Sequence, residues 1–170
     1  MSAKACREYH GKRLLSTHLS LLGHTCDSRS ALIRSSTDFE FLTDAEPWLA
    51  SFAADSNQKL VVKPDQLIKR RGKAGLVGVN LNLKQVKEWI KERMNTEIQI
   101  EAVKGTLDTF IVEPFIAHAA EDEYYVCIQS TRRGEEILFY HEGGVDVGDV
   151  DEKASRLAFE VDEEVSDDTS

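Results

Sequence analysis

The residues best suited to chemistry fall in one stretch, positions 60–80, LVVKPDQLIKRRGKAGLVGVN. A short apolar run delivers Lys63, a loop adds Lys69, Arg70, Arg71 and Lys73, and Gly72, Gly75 and Gly78 lead into a second apolar run. That mixture fits phosphate handling. Non-bridging phosphate oxygens need fixed cations, and glycine lets backbone amides approach with no side chain in the way. The stretch is not a P-loop, because the GxxxxGK(S/T) spacing is absent and no helix start follows the glycines. A basic hairpin lying in solvent is the competing reading, and the residues alone leave both open.

A second stretch, FIVEPFIAHAAEDEYYVCI at 110–128, runs a strand into Glu113 and Pro114. Proline cannot continue a ladder, so main-chain groups at the exit are expected to be open to a flat heterocycle edge. Glu123 follows, and a carboxylate accepts hydrogen bonds well from two neighbouring hydroxyls of a sugar. The plainer alternative is a proline-stopped turn and the acidic loop Glu121, Asp122, Glu123. The third stretch, HEGGVDVGDV at 141–150, lacks the ligand register and closing glutamate of an EF-hand. Gly143 and Gly144 read as a tight turn or a close approach. His10, His18, His24 and His118 have no ligand spacing, and Cys6, Cys26 and Cys127 match no zinc or redox motif. Free thiols are the expectation.

These groups have to be held by strands and helices. The period-two runs 60–63 and 75–81 predict strands, as do 98–103, 109–112, 124–130 and 136–140, with Arg132, Arg133 and Gly134 as a hairpin turn. The spacing of Tyr9, Leu14, Leu15, Leu19 and Leu22 predicts an amphipathic helix over 5–22, stopped by Gly23. A second apolar helix is expected over 39–53, using Phe39, Phe41, Leu42, Trp48, Leu49 and Phe52, with Pro47 allowed near a helix start. Residues 24–37 read as a loop with a short helical attempt around Ala31 to Arg34. Asn82 with Gln85 three residues on predicts a capped helix whose Val86, Trp89, Ile90 and Met94 share a face. Strands interleaved with helices give an α+β chain. Three regions are expected: a helical 1–58, a nucleotide-binding 59–158 and an acidic tail 159–170.

With 170 residues, 41% of them hydrophobic, the chain can bury one ordinary core or two small lobes. Its formal net charge of -9 puts no net field behind nucleic-acid binding. The acid is concentrated after Asp146, whereas 63–73 is strongly basic, which points to one local anion site on an acidic body. No run is long enough to cross a bilayer and no secretory layout opens the chain, so the expected compartment is the cytosol.

Together the pieces VVKPDQLIKRRGKAGLVGVNL, IVEPFIAH, EYYVCI and ILFYHEGGVDVGDVDEKA resemble the start of animal ATP-citrate lyase, in the same order and at similar spacing. The opening EYHGKRLL and the VVK, RGKAG, VE and EGGV pieces are more distantly similar to the β subunit of succinate-CoA ligase. Both are ATP-grasp enzymes. The resemblance covers residues 59–154, and the chain departs from it over 24–58. It implies ATP-grasp-type subdomains, incomplete here, with amino-terminal helices, and ATP as ligand. Lys63 would contact phosphate oxygens, and Arg71 with Gly72 would form the loop beside them. Main-chain atoms of Pro114 and Ile116 would face the adenine edge, and Glu123 would hold the ribose hydroxyls. The complete enzyme of that family phosphorylates a histidine with ATP, forms citryl-CoA from citrate and CoA, and releases acetyl-CoA and oxaloacetate as a homotetramer. Its magnesium (Mg) ligands, citrate pocket, phosphohistidine and CoA site are expected outside the residues present here. None of His10, His18, His24, His118 or His141 has the phosphohistidine context. The expectation is therefore an ATP-handling segment without turnover of its own.

Overall fold

The computed structural model describes residues 6–35, 46–55, 57–68, 71–100, 102–144 and 148–160. The expected helix residues Phe39, Phe41 and Leu42, the loop cations Lys69 and Arg70, Asp146 and the tail acids after 160 lie outside them. The chain divides into two compact units, Met1–Ile116 and Ala117–Ser170. Antiparallel sheets and helices alternate in an α+β arrangement.

The first unit is built on a four-stranded antiparallel sheet in the order β1-β6-β2-β3, from β1 (Ala31–Ile33), β2 (Leu60–Pro64), β3 (Gly78–Leu81) and β6 (Phe110–Pro114). Alternation along β2 sends Leu60, Val62 and Pro64 inward and leaves Val61 and Lys63 half-buried on the other face. The inward face carries the core: Ile33, Leu60, Val62, Phe110 and Val112 meet Leu49 and Phe52 of α2 (Trp48–Ala54) and Leu83, Val86 and Ile90 of α3 (Leu83–Arg93). Each such side chain contributes about 1.5–3 kcal/mol on burial. Trp89 closes the edge of this core at 5.8 Å and 90° to the Phe110 ring.

The start of α3 was fully legible. The Asn82 side chain accepts from the Gln85 amide and the Gln85 side chain accepts from the Asn82 amide, both at 2.9 Å, satisfying two orphan donors. Val86 and Ile90 are buried, with Trp89 and Met94 packed alongside. The helix stops where Asn95 turns left-handed at φ 62°. Gly78 opens β3 where a Cβ would lie 2.9 Å from Val62 Cγ1 and 2.8 Å from Leu81 Cδ1, so a larger residue would force these side chains to shift.

Two expectations are corrected. Ala31 to Ile33 is a strand, with Ala31 opposite Val112 and Ile33 opposite Phe110. Three residues are too few to show a period, and the pairing partner is supplied from far along the chain. The run 98–103 is two strands, β4 (Glu97–Ile100) and β5 (Val103–Thr106), folded as a hairpin with Ile100 opposite Val103. The turn carries no glycine or asparagine to announce it. The first helix, α1 (Glu8–Leu21), forms but buries none of its residues: Leu14 and Leu15 are each 59% exposed.

The second unit is a three-stranded antiparallel meander of β7 (Tyr125–Ser130), β8 (Gly134–Tyr140) and β9 (Ser155–Glu160). The turn at Arg132 and Arg133 is where the sequence places it. β9 runs across the expected boundary at 158, and Phe159 is buried within it. The short α4 (Val150–Lys153) lies on one face, where Tyr125 donates to Asp151 at 2.7 Å. Among the described residues no helix is long and apolar enough to cross a membrane.

Candidate phosphate-binding cluster

β2 carries Lys63 on its outer face, and register explains its neighbour. Val61 pairs directly with Glu113 of β6, and Lys63, two residues on, shares that face with both. Lys63 Nζ lies 3.0 Å from Glu113 Oε2. After β2, residues 71–75 form a compact turn in which the Gly75 amide donates to Gly72 O at 3.1 Å and the Leu76 amide to Arg71 O at 2.9 Å. Gly75 takes φ +68°, a conformation that favours glycine. Buried Leu76 anchors the turn to the core. Arg71 folds back, and its Nη1 donates to Pro64 O at 2.6 Å.

The organising group is one that sequence reasoning missed. Glu8, in the first turn of α1, places Oε1 2.6 Å from Lys63 Nζ and 2.9 Å from Lys12 Nζ, and Oε2 2.7 Å from Arg71 Nη2. Lys12 in turn reaches Glu113 Oε1 at 2.6 Å. Three cations thus surround two carboxylates in a partly shielded patch. Burial alone would raise the Glu8 carboxyl. Hydrogen bonds from Lys63, Lys12 and Arg71, with the charge of Lys63, outweigh it and hold the group down at about 2. Burial would lower Lys12, but its contacts with Glu113 and Glu8 raise it.

α1 reaches this patch by polar docking. Its N-cap, Arg7, makes no side-chain cap. The buried Asp65, just after β2, supplies one from a distance: Oδ1 accepts from the Tyr9 amide at 3.2 Å, while the Asp65 amide donates to Thr109 O at 2.8 Å. Arg7 Nη1 adds a bond to Thr109 Oγ1 at 3.1 Å. The only local hint was Glu8 and Lys12 at a spacing of four, which pairs on a helix. Asp65 and Glu113 gave no local signal.

The other expected site residues are distributed as follows. Gly72 is exposed in the turn beside Arg71. Pro114 closes β6 opposite Leu60, and Ile116, 61% exposed, follows it. The ladder does not stop at Pro114, because the Phe115 amide donates to Lys59 O at 2.8 Å. The strand exit is therefore less open than proline alone implies. Lys63, Arg71, Gly72, Pro114 and Ile116 all belong to the first unit. Glu123 belongs to the second, where its Oε1 lies 2.8 Å from His118 Nε2 and its carbonyl accepts from the Gly143 amide at 2.7 Å. A Cβ on Gly144, at φ +96°, would stand 2.6 Å from Glu123 Oε2, so the Gly143–Gly144 turn is a close approach to this carboxylate.

Magnesium does not fit these residues. Among the described residues no three His, Cys, Asp or Glu side chains converge. The two nearest carboxylates, Glu8 and Glu113, are already engaged by ammonium and guanidinium groups.

Comparison with known proteins gives the family. A family model described as the ATP-citrate synthase ATP-grasp domain matches residues 2–170. The chain is 49% identical over 167 residues to ATP-citrate synthase of Mus musculus, covering 98% of this chain and 15% of that protein. It is 46% identical over 148 residues to ATP-citrate synthase subunit alpha chain protein 1 of Oryza sativa subsp. japonica, covering 86% and 34%. Its fold matches a structure of ATP citrate lyase from Methanothrix soehngenii in complex with citrate and coenzyme A, with a TM-score of 0.75 and 34% identity over 94% of this chain and 35% of that one. The chain therefore spans about 15% of the animal relatives and about a third of the Oryza and Methanothrix chains. It belongs to the ATP-citrate synthase ATP-grasp domain family.

Proposed function

We propose that this chain provides part of an ATP site in which Lys63 and Arg71 take the phosphates beside the Gly72 turn and main-chain atoms of Pro114 and Ile116 face the adenine edge; Glu123, in the second unit, is proposed by itself as an acceptor for ribose hydroxyls. The observation that carries the reading is the convergence of Lys63 from β2 and Arg71 from the glycine turn on a single carboxylate. Two cations from separate elements meeting within one oxygen-to-oxygen span is what a polyphosphate requires. A solvated basic hairpin would leave them apart. The side chains of Lys63 and Arg71 are only 17% and 24% exposed, so their charges are less screened than those of surface lysines.

In a longer protein of this family the site would supply the phosphoryl group for converting citrate and CoA to acetyl-CoA and oxaloacetate in the cytosol. This chain's own part is to bind and orient the nucleotide. Magnesium would neutralise phosphate charge during transfer, but the described residues do not fit it. Calorimetric titration of the chain with Mg-ATP, beside Lys63→Ala, tests the reading. Saturable binding that the variant loses supports it. Absence of heat at millimolar nucleotide, or equal binding by both proteins, rejects it.

A further inference from the structure

Resting on that nucleotide reading, we propose that Glu8 is a positioning residue for phosphate binding: from the docked end of α1 it holds the Lys63 and Arg71 head groups at a fixed separation, ready for a polyphosphate. Lys63 stands on a strand and Arg71 on a turn. Among the described residues Glu8 is the group that touches both, with Oε1 2.6 Å from Lys63 and Oε2 2.7 Å from Arg71. Glu113 and Lys12 close a four-membered ring with Glu8 and Lys63, so the carboxylate is fixed from its other side as well. The hold does not consume the cations. An ammonium has three donors and a guanidinium five. Lys63 contacts two carboxylates, and Arg71 gives one terminal nitrogen to Glu8 and the other terminal nitrogen to Pro64 O. Asp65 completes the device by capping α1 at the Tyr9 amide, one residue from Glu8.

Two effects of removing this carboxylate oppose each other. Three cations and two carboxylates leave the cluster at +1, and loss of Glu8 makes it +2, which by charge alone draws phosphate more strongly. Loss of Glu8 also frees two long side chains that a ligand must then order. Positioning requires the second effect to win. The sign of the change therefore decides the question.

The test is calorimetric titration of wild type, Glu8→Gln and Lys12→Met with Mg-ATP and with adenosine, each variant first checked for wild-type circular dichroism. Glu8→Gln is expected to weaken Mg-ATP about tenfold and leave adenosine unchanged, because only the phosphate cations are released. Lys12→Met loosens the ring without touching Arg71 and is expected to weaken Mg-ATP about threefold, again sparing adenosine. Unchanged or tighter Mg-ATP binding by folded Glu8→Gln overturns the positioning role while leaving the nucleotide reading intact. Equal loss of ATP and adenosine also overturns it, since that marks a structural effect. If wild type itself binds no Mg-ATP, the nucleotide reading falls and this role falls with it.

Discussion

The two units treat their apolar surface differently. In the first, the inner face of the sheet is closed: Leu60, Val62, Phe110 and Val112 are fully buried beneath α2 and α3. In the second, one face of the meander carries Val126 opposite Phe139, and Ile128 opposite Ile137, which pairs on to Leu157. Of these, Val126 and Ile128 remain 67% and 69% exposed. The first unit can hold its shape by its own core. The second has backbone ladders and cross-strand pairs but little interior, so its stability rests on the weaker sheet contacts. The two cations of the proposed phosphate site, Lys63 and Arg71, both belong to the first.

The largest expected effect follows from that contrast. Phe110→Ala, at the centre of the closed core, is expected to cost about 4 kcal/mol in denaturant unfolding monitored by tryptophan fluorescence. A loss under about 1 kcal/mol would mean that the first unit is no better packed than the second.

Acid should act next, and on the first unit. The folded-state Glu8 carboxyl sits at about 2, below its ordinary value of 4.5. Its stabilising contribution is therefore complete above about pH 4.5 and is lost as pH falls toward 2. For a side chain one-fifth exposed this amounts to about 2 kcal/mol. Thermal unfolding between pH 5 and 2.5 should show a loss in wild type that is smaller in Glu8→Gln; parallel curves would remove Glu8 from the account.

Smaller still is the docking of α1. Asp65→Ala removes the remote cap and should cost about 1 kcal/mol, read as faster amide exchange confined to α1 while α3 stays protected. Uniform loss of protection would show that Asp65 supports the core and not the helix. The smallest effect belongs to the bare sheet. Ile128→Thr should change stability by no more than about 0.5 kcal/mol yet lower binding of a hydrophobic-surface dye. A large loss of stability would mean that this face is covered in solution.

How much the sequence reveals depends on how far apart the interacting residues lie. The capped α3, the strands β2, β6, β7 and β8 and the turn at Arg132 have signals within a few residues, and all were legible. The cations of the candidate site, Lys63 and Arg71, were legible as chemistry because they cluster with glycine. What holds them was not. Arg71 meets Glu8 across 63 residues and Lys12 meets Glu113 across 101, pairings that no local pattern announces. The apolar spacing of α1 announces the helix but not its docking: the helix docks through Glu8, Lys12 and the Tyr9 amide, and Leu14, Leu15 and Leu21 stay exposed.

The most direct test of the central claim is amide-resolved NMR titration of the chain with Mg-ATP. The account predicts that Arg71, Gly72, Phe115 and Ile116 in the first unit shift along one common saturation curve. Shifts confined elsewhere, or none at millimolar nucleotide, would contradict it.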